Sequence, residues 1–406
     1  MLQSVTIENF KSFERATLPL APLTLLIGAN ASGKSNAIEA MQLLSWLVAS
    51  GRPTSDLLYA IREQEISLRG GINDLVYADG KITLGCDLEN APDQPPLTFS
   101  LSLGITEEGL QIEAERVTAG ANLYDSRRLA ERTSKAGSPI IEALLRDLEH
   151  QYSTARTEVI PLGRALSSLL FLDPDPRRMR EYSFLQEKRL KRDGSALSSV
   201  LHDLTEEEGQ KTGILEIIRS LPEQDISDIT YIETPRDEVM VQLHETFGGR
   251  AASRAAALLS DGTLRVLAVA AALFSVPKGS TVVIEEIDNG VHPSRAEHLL
   301  AQIQKVARER NLHVLLTTHN PALLDAMPHE AIPDIVACYR DPEKGDSRLV
   351  RLEDLESYPE LIAQGPVGRL LTRGILDRYL KSPDLRDRAK KTKRDLAWIK
   401  EFRRQA

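Results

Sequence analysis

Apolar positions along the chain switch between two periods, and the switches mark its elements. Leu2, Val5 and Ile7 predict an opening strand, and Leu23-Thr-Leu-Leu-Ile27 has the unbroken apolar character of a buried one. Gly28 to Ser35 interrupts the pattern. Ile38, Met41, Leu44, Leu47 and Val48 then recur at helical spacing, so strand, glycine-rich turn and helix follow one another. Alternation returns in Ile82-Thr-Leu-Gly-Cys-Asp-Leu88 and Leu97-Thr-Phe-Ser-Leu-Ser-Leu103, on either side of a Pro-rich segment, and predicts a β-meander. From about Ser126 to Ser220 charged residues at helical spacing dominate, which reads as a helical insertion. Strands resume between Ile226 and Glu245. A helix from Leu264 to Phe274, a strand Thr281 to Ile284, a helix from about Ser294 to Arg310 and a strand His313 to Thr317 then alternate. That order predicts an α/β fold with a mainly parallel sheet and crossover helices. The last stretch, from about Leu355, reads as helical. The implied division is 1–125 and 225–354 for the two parts of one α/β head, 126–224 for the insertion and 355–406 for a basic helical tail.

Composition narrows the class. With 406 residues, 42% hydrophobic and 27% charged, the chain is long enough for a large buried core and has the balance of a water-soluble protein. Cys86 and Cys338 lie far apart without metal-ligand spacing, which argues against a disulfide framework or a structural zinc site and fits a reducing compartment. Charged residues interrupt the N-terminal stretch, and the longest apolar run, Val266 to Phe274, falls short of a bilayer. The expectation is a cytoplasmic protein with no membrane partner. The net charge of −9 disfavours a nucleic-acid coat, while leaving local basic patches open.

The strongest chemical signal is Gly28-Ala-Asn-Ala-Ser-Gly33-Lys34-Ser35, a complete G-x-x-x-x-G-K-S between a predicted strand and a predicted helix. Glycines let the backbone curl so that successive N–H groups and the helix N-terminus face phosphate oxygens. Lys34 adds a point charge, and Ser35 offers a hydroxyl to Mg²⁺. Thr281-Val-Val-Ile-Glu285-Glu286 places two carboxylates at a strand's C-terminal end, where α/β folds open their ligand crevice. Glu285 is assigned to the metal and Glu286 to the general base that takes a proton from an attacking water. Leu259-Ser260-Asp261-Gly262-Thr263 precedes the most apolar helix and builds a second anion-binding helix end, with capping alone as the plainer reading. His319 closes the strand ending Leu315-Leu-Thr-Thr318 and can reach a γ-phosphate.

These elements, in this order, resemble the ATP-binding-cassette (ABC) ATPases of the RecF, SMC and overcoming-lysogenisation-defect kind. The resemblance rests on Ile7-Glu-Asn-Phe-Lys-Ser-Phe13, the Gly28 to Asn36 loop, Leu-Ser-Asp-Gly-Thr-Leu-Arg265, Ile-Glu-Glu-Ile-Asp-Asn-Gly-Val-His-Pro293 and Thr-Thr-His319, and it covers about 1–125 and 225–340. It implies a P-loop NTPase head, ATP and Mg²⁺ as ligands, and nucleotide contacts from Gly28, Asn30, Gly33, Lys34, Ser35 and Asn36, with Lys11 and Ser12 near the base or ribose. It also implies a homodimer sandwiching two nucleotides, in which Ser260 and Gly262 act on the partner's ATP. Asp288 would communicate across that dimer, and His319 would sense the γ-phosphate. A role in DNA maintenance or anti-phage defence, through a separate nuclease or toxin effector, belongs to the same implication.

The chain departs from that group in two ways. An insertion of this length is too short for long coiled-coil arms, and the stretch after His319 lacks an Asp-x-Asp cluster for a fused nuclease. Asp173-Pro-Asp175, flanked by proline, reads as a turn. Two basic stretches keep DNA contact open: Arg177 to Arg192, and the tail from Lys381, where ten Lys and Arg face four Asp and Glu. The alternative function is a nucleotide-gated DNA- or protein-binding scaffold with slow hydrolysis.

Overall fold

The structure, a computed structural model, describes residues 1–49, 54–63, 65–89, 95–107, 109–125, 153–219, 225–247, 249–289 and 293–381. Residues 126–152 of the expected insertion, 382–406 of the expected basic tail and 290–292 lie outside them. Strands β1 (Leu2–Phe10), β2 (Phe13–Pro19), β3 (Leu23–Ile27), β4 (Ile82–Leu88), β5 (Leu97–Thr106), β6 (Gly109–Ala119) and β7 (Asn122–Asp125) occupy the first part of the chain. They are followed by β8 (Leu170–Leu172), β9 (Ser183–Phe184), β10 (Asp225–Glu233), β11 (Glu238–Phe247) and β12 (Arg250–Ala255). The last four are β13 (Thr281–Ile284), β14 (His313–Thr317), β15 (Val336–Arg340) and β16 (Ser347–Arg351).

Three sheets result. A six-stranded antiparallel meander runs β2-β1-β4-β5-β6-β7, and a second six-stranded sheet has the order β16-β15-β3-β14-β13-β8. In the latter, β15, β3, β14, β13 and β8 are parallel, and β16 returns antiparallel on β15. A small antiparallel sheet places β10 on one side of β11, with β12 and β9 along the other.

The central sheet is buried on both faces, and the two-residue period of its strands sorts side chains between two cores. Leu26, Val283, Leu315 and Val336 face the helix Lys34–Ala49 and the meander, joining Ala37, Ile38, Met41, Leu44, Ile7 and Leu84. Leu25, Val282, Ile284, Val314 and Leu316 face the other way, against Leu264, Leu267 and Ala271 of the helix Asp261–Ser275 and Leu300 and Ile303 of the helix Pro293–Glu309. Parallel strands connected by helices open all their C-terminal ends on one edge, which collects the turns after β8, β13, β14 and β3.

The 126–224 segment is not purely a helical insertion. Its residues Leu170–Leu172 form β8 and pair with Val282–Ile284, so the segment supplies an edge strand of the head's own sheet. Three residues are too few to show a period in sequence. Its other described parts include the helices Ser153–Ser167, Leu197–His202 and Lys211–Ile218, with a π-turn at Asp203–Glu207. After Leu355 come the short helices Tyr358–Ile362, Val367–Thr372 and Ile375–Lys381. No helix among the described residues is long and apolar enough to cross a membrane.

Candidate functional site

The turn after β3 is shaped by what lies behind it. Gly28 has φ +154°, and a Cβ there would run into the Cys338 carbonyl oxygen and stand 2.7 Å from Ser32 Oγ. Gly33 has φ +120°, and its Cβ would fall within the Ser347 side chain and 3.0 Å from Ser12 Oγ. Both glycines are therefore required by backbone conformation and by close approach of β15 and β16. Ser347 Oγ donates to the Ser32 carbonyl at 2.5 Å and accepts from Ser12 Oγ at 2.7 Å, and Ser12 Oγ in turn accepts from Asn36 Nδ2 at 2.8 Å. Ser12, 6% exposed, thus props the loop from behind and does not line the cavity in front of it.

That cavity, about 520 Å³, is lined by Lys11, residues 29–36, Ile38, Arg69, Glu285, Glu286, Thr317, His319 and Arg340. Six stretches of the chain meet there, and four of them lie at or just after the ends of β15, β3, β14 and β13, which are neighbours in the sheet. Lys34 Nζ donates to the loop's own carbonyls, Gly28 at 2.6 Å and Ala29 at 3.2 Å. Burial pushes the Lys34 ammonium below its usual range, opposed by Cys338 and the Glu286 carboxylate. Ser32 Oγ is buried without a hydrogen-bond partner, an orphaned polar atom inside a loop of curled backbone.

Glu286 sits at φ +50°, a left-handed conformation that costs a residue with a side chain. Hydrogen bonds impose it: the Glu286 N–H donates to Thr317 Oγ1 at 2.9 Å and the Ile287 N–H to the Thr317 carbonyl at 3.1 Å. The carboxylate accepts from Asn289 Nδ2 at 2.6 Å and lies 3.9 Å from His319 Nε2. Glu285 is more enclosed. Its Oε1 accepts from Arg192 at 2.9 Å, burial raises its carboxyl above the usual range, and Arg192 counters that rise. Ser260 caps the helix Asp261–Ser275, its Oγ accepting from the Thr263 N–H at 3.1 Å. Ser260, Gly262 and Asp288 do not line the cavity of their own chain, and Asp288 Oδ1 is buried without a partner.

The oxygen donors fit a hard cation. Ser35 and Glu285 line one cavity, and no group of three or more His, Cys, Asp or Glu among the described residues forms a cage, so phosphate and water would complete the shell. Sequence reasoning missed Arg69, which donates through Nε to Glu39 Oε1 at 2.6 Å and through Nη2 to Asn36 Oδ1 at 3.2 Å. It missed Arg340, whose Nε donates to the Ala31 carbonyl at 3.2 Å. Lys11 is committed to Glu39 and to the Arg69 carbonyl at 2.7 Å. The Arg177 to Arg192 stretch is largely paired within the chain: Arg177 with Asp175, Arg180 with Asp261, Lys188 with Asp203, Lys191 with Glu187, and Arg192 with Asp173 and Glu285.

Comparison with known proteins agrees with this fold. The family described as "AAA domain, putative AbiEii toxin, Type IV TA system" matches residues 23–325. A DNA replication and repair protein RecF from Gloeobacter violaceus is 44% identical over 70 residues, 17% of this chain. The match spans 16% of that relative's length. Among solved structures, an SmcHead bound to the C-winged helix domain of ScpA superposes with a TM-score of 0.53 at 13% identity, covering 86% of this chain and 97% of that one. An Smc head domain with an extended coiled coil, bound to the C-terminal domain of ScpA and derived from Pyrococcus furiosus, gives 0.52 at 13% identity, with 89% and 99% covered. The fold shared with both is the SMC-head type of P-loop NTPase.

Proposed function

Because the chain belongs to this AAA-domain family, within the ABC-type RecF/SMC-like ATPases, we propose that it binds ATP with Mg²⁺ and hydrolyses it as a switch that pairs with a second copy of itself. The observation that carries this reading is the single cavity collecting Lys34, Ser35, Glu285, Glu286 and His319 from separate segments. Phosphate oxygens would take over the hydrogen bonds that Lys34 now gives to Gly28 and Ala29, and would satisfy the orphaned Ser32 hydroxyl. Ser35 and Glu285 would hold Mg²⁺, which supplies charge stabilisation to the transferring phosphoryl group. Glu286 accepts the proton of the attacking water, and its short tether to Asn289 keeps the carboxylate at the cavity mouth. His319 stands within reach of the same water or the γ-phosphate. Ser260 and Gly262, absent from their own chain's cavity, would complete the partner's, so that ATP closes the pair and hydrolysis opens it.

The pairing of the Arg177 to Arg192 bases with carboxylates favours this switch over a scaffold gripping DNA through that stretch. The RecF match and the family's toxin–antitoxin description support a place in DNA maintenance or anti-phage defence, with a separate effector protein under control. Phosphate release with Mg²⁺·ATP, together with the mass of the Glu286→Gln variant in solution, tests the reading. Turnover by the parent and an ATP-dependent doubling of mass in the variant are expected. A variant that hydrolyses ATP at the parental rate would overturn the assignment of Glu286.

A further inference from the structure

Arg192 is held by more than its charge. The Asp173 N–H donates to the Arg192 carbonyl at 2.8 Å and the Asp175 N–H to the Asp193 carbonyl at 2.9 Å, so the main chain around Arg192 is laced to the end of β8. The turn that follows is closed by the Ser195 N–H on Asp193 Oδ1 at 2.9 Å, with Gly194 and Ala196 at positive φ. It leads into the buried helix Leu197–His202, where Ser198 Oγ accepts from the Val241 N–H at 3.0 Å. From this fixed base the guanidinium reaches Glu285 Oε1 at 2.9 Å and Asp173 Oδ2 at 3.2 Å, its side chain 29% exposed.

Glu285 directly follows β13, its N–H donating to the Leu172 carbonyl at 2.9 Å. A glutamate has one more rotatable bond than an aspartate, and a free glutamate at a strand end would sample rotamers that carry its head away from Ser35. The Arg192 contact is to one oxygen and does not take the second. Asp173 neutralises the guanidinium, so the Arg192–Asp173 pair adds no net positive charge against an entering dication.

We propose that Arg192 is a positioning residue that fixes Glu285 for the Mg²⁺ of the bound nucleotide, and that its reach is what makes a glutamate work at this strand end. The proposal rests on the nucleotide reading above. It assigns a task at the site to a segment otherwise read as a basic surface.

Mn²⁺ replaces Mg²⁺ in the test, because its binding to the ADP complex of the full chain is read by electron paramagnetic resonance without turnover. Arg192→Ala should weaken Mn²⁺ binding about tenfold, the low end of the effect of removing a partner of a metal ligand. Arg192→Lys should recover part of that loss. In a Glu285→Asp background, where the shorter side chain draws the carboxylate back from the guanidinium, Arg192→Ala should add less than about twofold. Metal-free ADP affinity on the same samples is the folding control. Unchanged or tighter Mn²⁺ binding in Arg192→Ala overturns the proposal, and so does an equal loss in the Glu285→Asp background. If the parental chain itself binds no Mn²⁺·ADP, the nucleotide reading fails; if it binds and the variants match it, only the role of Arg192 fails.

Discussion

Glycine and alanine at position 286 offer a test in which the expected order of stability is reversed. In an ordinary strand or helix a glycine is less stable than an alanine by about 0.5–1 kcal/mol, because the unfolded chain gains freedom. Glu286 has φ +50°, where a residue with a Cβ costs about 1–2 kcal/mol and glycine costs nothing. The difference favours Glu286→Gly over Glu286→Ala by roughly 0.5–1 kcal/mol. Both variants lose the bond from Asn289 and the contact with His319, so those losses cancel in the comparison. Urea unfolding of the nucleotide-free proteins measures the difference. With a slope of about 3 kcal/mol/M, the glycine variant's midpoint should lie about 0.2–0.3 M higher. Neither variant should hydrolyse ATP. An alanine variant equal to or more stable than the glycine variant would show that the strand end stores no strain, and that the bonds from Glu286 and Ile287 to Thr317 do not dictate the backbone there.

Gly33→Ala should abolish tight nucleotide binding. Adding Ser347→Gly removes the obstructing side chain but not the backbone strain, so affinity for a fluorescent ADP analogue should stay about tenfold or more below the parent, and full recovery would refute the positive φ. Ser12→Ala and Arg69→Ala should separate a prop from a ligand contact. The first costs about 1 kcal/mol of stability in urea unfolding through lost bonds to Asn36 and Ser347 with ADP binding little changed, and the second, which also removes a partner of the buried Glu39, weakens ADP binding in a fluorescence titration. His313 is buried with Nδ1 2.7 Å from the Leu2 carbonyl oxygen, and burial pushes its imidazole below the ordinary range. The unfolded chain therefore binds more protons than the fold below about pH 6.5, and stability is lost as pH falls from there. His313→Gln should flatten that part of the thermal-midpoint profile against pH.

The elements legible in the sequence are those whose signal is local. Leu23 to Ile27, Thr281 to Ile284 and His313 to Thr317 are read correctly because each is a short apolar run bounded by a turn, and all three prove buried throughout. The phosphate loop is legible because its glycines, lysine and serine are contiguous. Other residues reach the site only through the fold. Arg69 comes from the stretch before β4, Arg340 from the end of β15 and Arg192 from beside β8, and nothing in their neighbours distinguishes them from surface cations. Ser12 stands behind the loop while Lys11 lines the cavity, because adjacent side chains of a turn point to opposite sides, which sequence proximity does not reveal.

The floor under the phosphate loop has a consequence for how the chain is made. Ser32 leaves the ribosome early, but the Cys338 thiol and Ser347 hydroxyl that donate to its carbonyl follow roughly 300 residues later, which at 5–20 residues per second is about 15–60 s. During that interval the helix from Lys34 holds Ile38, Met41 and Leu44 without the central sheet that buries them. The seat of the phosphate loop is thus complete only once β16 has emerged, and on the nucleotide reading a chain truncated before Ser347 should bind a fluorescent ADP analogue more weakly than one that includes β16.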